Sequence, residues 1–364
     1  MERYREVKKR RIIRSGSFLL QRSTMMKMMD LFQLTRTLID IESITRNESA
    51  VGEFLLSHLS VLADRHQGRV ERMDLEPGRF NVFAHWGDPL VTLSTHMDTV
   101  PPHVPSREDE ERIWGRGACD AKGIIASMIH AASGLLEAGL RNVGLLFVVG
   151  EERNSAGARA AARNPRGSRY LINGEPSENK LALGSKGALR YEISAAGRMA
   201  HSAYPELGDS AIDKLLDVLA ELRRIPLPTH SILGRSTLSI GTIAGGRAPN
   251  VVPDAACAEV MFRLVEDAAP LREAVAKAAA GRAVAREILC TPAVRLGAIE
   301  GIETTVVAYT SDIPEFGGAW GEPYMLGPGS IHVAHTPDEH VEKRQLIDAV
   351  RIYQTMVRRL LTGR

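Results

Sequence analysis

The chain of 364 residues has only three cysteines, Cys119, Cys257 and Cys290, odd in number and without a C-x-x-C pair. That argues against a disulfide scaffold and for a reducing compartment, so a cytoplasmic location is expected. Aromatic residues are scarce, at 5%, which disfavours base-stacking platforms for nucleic acid. No stretch approaches the ~18 apolar residues of a membrane span. The apolar triplet Phe18-Leu19-Leu20 is too short for the core of a secretory signal. Neither a nucleic acid nor a membrane is expected as a partner.

What the chain does have is the profile of a globular enzyme, 44% hydrophobic and 25% charged. Its length fits two domains, or one domain carrying a large insertion. The net charge of +2 is uneven. Residues 1–28 hold nine Lys and Arg against Glu2 and Glu6, so the rest of the chain is net negative. This stretch reads as a solvated, disordered basic extension, and Met25, Met26, Met28 and Met29 offer later start points.

From Asp30 to Leu62 the apolar spacing is helical, with no internal proline. Asn81–Ala84 and Val91–Ser94 read as strands joined through a turn at Gly87-Asp88-Pro89. Asp120–Gly139 is a long helical run, with Gly139 as its C-terminal stop. Gly144–Val149 and Tyr170–Ile172 are apolar runs of the buried-strand type. Continuous apolar strands alternating with helices predict a mixed sheet flanked by helices, an α/β catalytic domain.

The texture changes near Gly187. Arg190–Ser194, Ser236–Ile243 and Ala256–Leu264 alternate polar and apolar residues, with helices at Ser210–Arg223 and Ala269–Gly281. This order predicts an inserted α+β module of ferredoxin-like type. The expected division is therefore 29–186 with 292–364 for the catalytic domain, and 187–291 for the insertion. The chain should end on a helix from Glu342 to Leu361.

Acids and histidines recur just past strands or at a helix start, where an α/β sheet gathers its ligands. His96 and Asp98 stand in Leu93-Ser94-Thr95-His96-Met97-Asp98. Asp98 can accept a proton from the second imidazole nitrogen of His96. Asp120 stands in Gly115-Arg116-Gly117-Ala118-Cys119-Asp120, at a loop-to-helix junction where an ordinary N-cap carboxylate would also sit. Glu151 and Glu152 follow the buried strand, and adjacent buried carboxylates are costly unless paired or bound to metal. Glu175 follows in Ile172-Asn173-Gly174-Glu175-Pro176. His335 lies in Ala334-His335-Thr336-Pro337. Two imidazoles and three ligating carboxylates suit zinc, with cobalt or manganese as substitutes. Five ligands exceed one open tetrahedral site and suit two metals sharing a carboxylate.

In these motifs, in their order and spacing, the sequence resembles the M20 metallopeptidases, in particular the acetylornithine deacetylase and succinyl-diaminopimelate desuccinylase branch. The resemblance runs from about Met29 to the end. It implies a zinc-exopeptidase-like catalytic domain with an inserted lid and dimerisation domain. It implies two Zn2+ ions, one held by His96 and Glu175, the other by Glu152 and His335, with Asp120 bridging and its following peptide bond cis. Glu151 would be the general base and Asp98 would orient His96. His201, in Gly197-Arg198-Met199-Ala200-His201-Ser202, would act across a homodimer interface on the partner's substrate. Asn250, Arg263 and Gly329 would touch substrate. Thr310-Ser311-Asp312 resembles a segment of ornithine and lysine deacylases, in which Asp312 would sense an amine. The implied activity is removal of the acyl group from a small N-acyl amino acid, of the acetylornithine or acetyllysine kind used in amino-acid biosynthesis. The alternative is a carboxypeptidase or dipeptidase of the same family, acting on short peptides.

Overall fold

A computed structural model describes residues 29–363 of the chain. The basic extension at residues 1–28 lies outside the described residues. At the centre is a six-stranded sheet in the order Arg69–Glu76, Arg79–Trp86, Val143–Val148, Val91–His96, Tyr170–Asn173, Glu322–Met325. The last four run parallel to one another, and the first two join antiparallel. Val143–Val148 and Val91–His96 are buried at every position, as continuous apolar runs require when helices cover both faces.

The helix Lys122–Glu137 is buried over nearly its whole length and packs against the C-terminal helix Lys343–Thr362. Its small and branched residues (Ile124, Ala126, Met128, Ala131, Leu135) fill the main core with Leu55, Leu59, Trp86 and Tyr353. Each fully buried Leu, Ile or Met there contributes ~1.5–3 kcal/mol of transfer free energy. Gly139, at φ 81°, follows the end of the helix as expected.

One expectation fails. Asp30–Leu62 is not a single helix but two, Leu31–Asp40 and Ser49–His66. Between them the main chain leaves the helix to pair with the extension of the His96 strand. Thr45 N donates to Thr99 O at 3.2 Å and Thr99 N to Ser43 O at 3.0 Å. The Ser43 hydroxyl adds a bond to Met97 O at 2.7 Å. No proline or glycine marks this break, because the competing hydrogen bonds come from residues fifty positions away.

From Gly187 to Thr291 the chain builds a second, four-stranded antiparallel sheet. Its order is Thr237–Gly245, Ala255–Leu264, Gly187–Ala196, Val284–Thr291. Helices Ala211–Leu222 and Ala269–Ala279 pack on it and enclose a separate core around Leu189, Ile193, Leu215, Val260 and Phe262. The β-α-β-β-α-β order with the first and third strands central is ferredoxin-like. The chain's exit and return lie side by side, since Leu181–Ser185 pairs with both Val294–Arg295 and Thr304–Val307. No helix among the described residues is long and apolar enough to cross a membrane.

Candidate metal centre

The four parallel strands deliver their C-terminal ends to one place. His96 ends its strand, Glu151 and Glu152 follow Val148, Glu175 follows Asn173, and His335 lies on the loop after Met325. Asp120 enters from the start of the Lys122–Glu137 helix, and the Asp120–Ala121 peptide bond is cis, as the resemblance implied. Two glycines make this convergence possible. Gly150, at φ 83°, turns the chain directly before Glu151. Gly174 lies so close to the helix that a Cβ would sit 2.3 Å from Ile124 Cγ2 and 2.6 Å from Met128 Cε.

His96, Asp120 and Glu152 each place one ligand atom within 4.8 Å of the others. His96 Nε2 is 2.9 Å from Asp120 Oδ1, while His335 Nε2 is 3.3 Å from Asp120 Oδ2 and 3.0 Å from Glu152 Oε1. The two oxygens of Asp120 therefore face different histidines, the arrangement a bridging carboxylate needs. Glu175 is buried, and its Oε1 has no hydrogen-bond partner. A buried carboxylate oxygen without a donor is costly unless a cation completes it.

The electrostatics agree. Burial pushes the Glu151 carboxyl well above its ordinary value, and Glu175 adds to the rise. Burial likewise raises Glu175 and Glu152. Hydrogen bonds to Asp120 and Glu152 push His335 up to about 10. Burial opposes it, yet Asp120 and Asp98 raise His96. The protein's own groups compete for protons here because positive charge is short. This donor set, imidazole with carboxylate, fits divalent cations of the zinc type.

The Asp98 carboxylate stands beside His96, as the sequence suggested, and has a second set of partners. The nearest acceptor to His96 Nδ1 is the main-chain oxygen of Asp98, at 3.0 Å, whereas its carboxylate oxygen is 3.6 Å away. That fully buried carboxylate accepts from Gly150 N at 2.9 Å, Glu151 N at 3.1 Å, Glu152 N at 3.3 Å and the Thr45 hydroxyl at 2.8 Å. It ties down the loop that carries the candidate base.

The centre opens into a cleft of 430 Å3, whose walls include Asp120, Glu151, Glu175, His335 and, from the second sheet, Arg263. Arg263 is half-buried with no carboxylate partner among the described residues, and burial lowers its pKa. His201 and Asn250 do not line this cleft. They lie side by side on the exposed surface of the second sheet's unit, where His201 bridges Val251. Gly329 does not line it either. Its amide donates to Gln345 Oε1 at 2.8 Å and its carbonyl accepts from Glu178 N at 2.9 Å. Asp312 is buried and is not in the cleft wall, which is formed there by Thr310 and Ser311.

Arg116 and Glu339, adjacent to the motifs but not singled out in the sequence, form a buried ion pair. Glu339 Oε1 accepts from Gly117 N at 2.8 Å and Asp120 N at 3.4 Å, while Arg116 reaches Thr336 O. The pair thus joins the Asp120 loop to the His335 loop. Their signal was opposite charges flanking two ligand motifs.

A cluster of imidazoles and carboxylates at the ends of parallel strands, buried at His96, Asp120 and Glu175 and open at His335, with a further glutamate beside it, defines a metallohydrolase. The chain belongs to the peptidase family M20/M25/M40, whose family model matches residues 92–359. It is 38% identical over 348 residues to a peptidase M20 domain-containing protein of Schizosaccharomyces pombe, covering 90% of this chain and 84% of that one. It is 37% identical to a probable carboxypeptidase of Aspergillus niger, covering 88% of each. In fold it resembles an aminopeptidase of Bacillus cereus, with a TM-score of 0.75 at 20% identity, over 93% of this chain and 100% of that one. It also resembles an M20 family metallo-carboxypeptidase of Sulfolobus solfataricus, with a TM-score of 0.71 at 16% identity, over 90% of this chain and 98% of that one.

Proposed function

We propose that this chain is a two-zinc carboxypeptidase that cleaves the last peptide bond of a short peptide bearing a free C-terminal carboxylate. The observation that carries this reading is Arg263, an unpaired guanidinium facing the cleft on whose wall the acids and imidazoles converge. A planar fork of this kind suits a carboxylate. The names of the S. pombe, A. niger and S. solfataricus proteins support the peptidase side. The deacylase reading keeps in its favour a glutamate at 175, where the tripeptidase-like and dipeptidase branches tend to have aspartate. It loses the support of Asp312, which lies behind Ser311 rather than in the cleft.

His96 and Glu175 would hold one zinc, Glu152 and His335 the other, and Asp120 both. When bound, zinc supplies an acidified water and a polarised carbonyl. Glu151 accepts the proton of that water and returns it to the leaving amine nitrogen. Asp98 fixes the loop on which Glu151 stands.

Residues 187–291 would act as lid and dimerisation unit on the catalytic unit formed by 29–186 and 292–364. The strand Thr237–Gly245 is paired on one side only and exposes Ile240 and Ile243, a surface suited to a second copy. His201 and Asn250 lie outside their own chain's cleft, which supports their acting on a partner's substrate, His201 as an oxyanion donor. A His201→Ala chain mixed with an Asp120→Ala chain should then regain activity in hybrid dimers.

The deciding assay compares zinc-loaded protein on N-acyl dipeptides with free C-termini, their C-terminal amides, and N-acetyl amino acids including acetylornithine. Free-carboxylate peptides should be cleaved and their amides spared. Faster turnover of acetylornithine-type substrates than of any peptide would overturn the proposal.

A further inference from the structure

Next to the metal centre lies a second, larger basin of 970 Å3 whose lining is dominated by arginine: Arg46, Arg79, Arg153, Arg159, Arg163 and Arg190. Only two carboxylates, Glu76 and Glu152, share the wall. Some of the arginines are already neutralised. Arg79 is held by the buried Glu48 at 2.8 Å and by Glu76. Arg190 is held by Glu259 at 2.6 Å, and Arg159 by Glu315 at 3.3 Å. Glu152 is turned towards His335, at 3.0 Å. That leaves Arg46, Arg153 and Arg163, which have no carboxylate partner among the described residues.

Two of these three are placed by the same hydrogen-bond cluster that positions the candidate base. Arg46 follows Thr45, whose hydroxyl bonds Asp98 at 2.8 Å. Arg153 follows Glu152, whose amide bonds Asp98 at 3.3 Å. Arg46 is moreover held at φ 86°, a conformation that L residues rarely adopt. The basin also communicates with the cleft, because Glu152, Arg153, Asn154 and Arg159 line both. Like charges brought together without partners, on a wall shared with the cleft, create a local field that attracts anions. No aromatic side chain lines the basin, so it offers no stacking surface for a nucleotide base.

We propose that this basin is a subsite for acidic side chains of the substrate, so that peptides carrying Glu or Asp beyond the scissile bond are preferred. That these acids lie on the acyl side rests on the carboxypeptidase reading, in which Arg263 takes the terminal carboxylate. A chain anchored at Arg263 with its scissile bond at the metal centre can continue past Glu152 into the basin.

A binding experiment separates the two ideas. N-acetyl-triglutamate amide and N-acetyl-triglutamine amide have no free C-terminus, so neither engages Arg263 as a substrate would. Titrated calorimetrically into the full-length protein at low salt, the Glu peptide should bind about tenfold tighter, since three exposed ion pairs are each worth a few tenths of a kcal/mol to ~1 kcal/mol. The preference should shrink as salt shortens the Debye length. It should vanish in the triple variant Arg46→Gln/Arg153→Gln/Arg163→Gln, with thermal unfolding as the check that it is folded and the single Arg163→Gln as the milder version. A preference that survives the triple substitution overturns the proposal. So does equal binding of tripolyphosphate, which would mark indiscriminate anion trapping. With zinc-loaded enzyme, the ratio of kcat/KM for N-acetyl-Glu-Leu over N-acetyl-Gln-Leu, which rests on one acidic side chain, should fall about two- to threefold in the same variant. Arginine-dependent binding without hydrolysis of any peptide would keep the subsite and reject the carboxypeptidase.

Discussion

Replacing Asp98 with asparagine tests whether the candidate base depends on a carboxylate that never touches substrate. The native side chain accepts four hydrogen bonds, two at Oδ1 from the Gly150 and Glu151 amides and two at Oδ2 from the Glu152 amide and Thr45. Asparagine keeps one acceptor oxygen and sets an NH2 against the other pair. Hydrogen bonds to a charged acceptor are worth ~1.5–3 kcal/mol each. Losing two, with some recovery as the Thr45 hydroxyl turns to accept, weakens the loop by about 3 kcal/mol. At ~1.4 kcal/mol per decade, kcat should fall on the order of a hundredfold if that weakening falls on the position of Glu151. Thr45→Val removes one bond and should cost about 1.5 kcal/mol, roughly tenfold. Steady-state kinetics on zinc-loaded protein, with zinc content measured in parallel, provide the readout. An Asp98→Asn enzyme within threefold of the native rate would refute the reasoning. A crippled Asp98→Asn beside an unchanged Thr45→Val would move the role of Asp98 to His96.

Glu151→Ala should lower kcat by ~10^2–10^4 while leaving zinc content near two per chain, measured by atomic absorption; full activity would remove Glu151 from the mechanism. Arg263→Lys keeps the charge but loses the fork, so KM for free-carboxylate peptides should rise about tenfold with a smaller change in kcat. His58 is buried against His130, and burial, then the charge of His130, pushes its pKa below 6.5. A depressed histidine pKa means that the unfolded chain binds protons first, so its stabilisation is present above pH ~6.5 and lost as pH falls below it. The melting temperature of His58→Leu should therefore drop less between pH 7 and 5 than that of the native protein, and parallel curves would contradict the assignment.

Part of the candidate centre was legible because three of its residues follow or end strands that announce themselves as apolar runs. His96, Glu152 and Glu175 needed only the rule that α/β sheets gather ligands at their carboxyl ends. The ferredoxin-like insertion was legible from alternation, as in Ala255–Leu264, whose side chains alternate between buried and more exposed positions. What the sequence hid are features made by distant partners. The break at residues 41–48 has no local cause. It exists because Thr45 has hydrogen-bond partners at Thr99 and Asp98. The second task of the Asp98 carboxylate was hidden for the same reason: spacing places it beside His96, while only the fold brings the Gly150–Glu152 amides to donate to it.

The centre also explains why so much of the surrounding fold is devoted to fixing main chain. Asp120, Glu151, Glu152, Glu175 and Asp312 influence one another electrostatically around two imidazoles. Left alone, such an array would relax by protonation or by swinging its carboxylates apart. Two devices oppose that. Asp98 neutralises three amides of the Glu151 loop, and Glu339, itself neutralised by Arg116, binds the amides at Gly117 and Asp120. Asp98 is thus a negative charge given to backbone amides, with no Lys or Arg partner among the described residues, whereas Glu339 combines its amides with an ion pair to Arg116. That choice is reasonable only if the donors must wait in place, with lone pairs converging, for a cation to arrive. The acid-rich centre and the arginine-rich basin beside it then form a paired field: one side draws metal, the other an anionic substrate, and Glu152 and Arg153, adjacent in sequence, stand in the wall the two share.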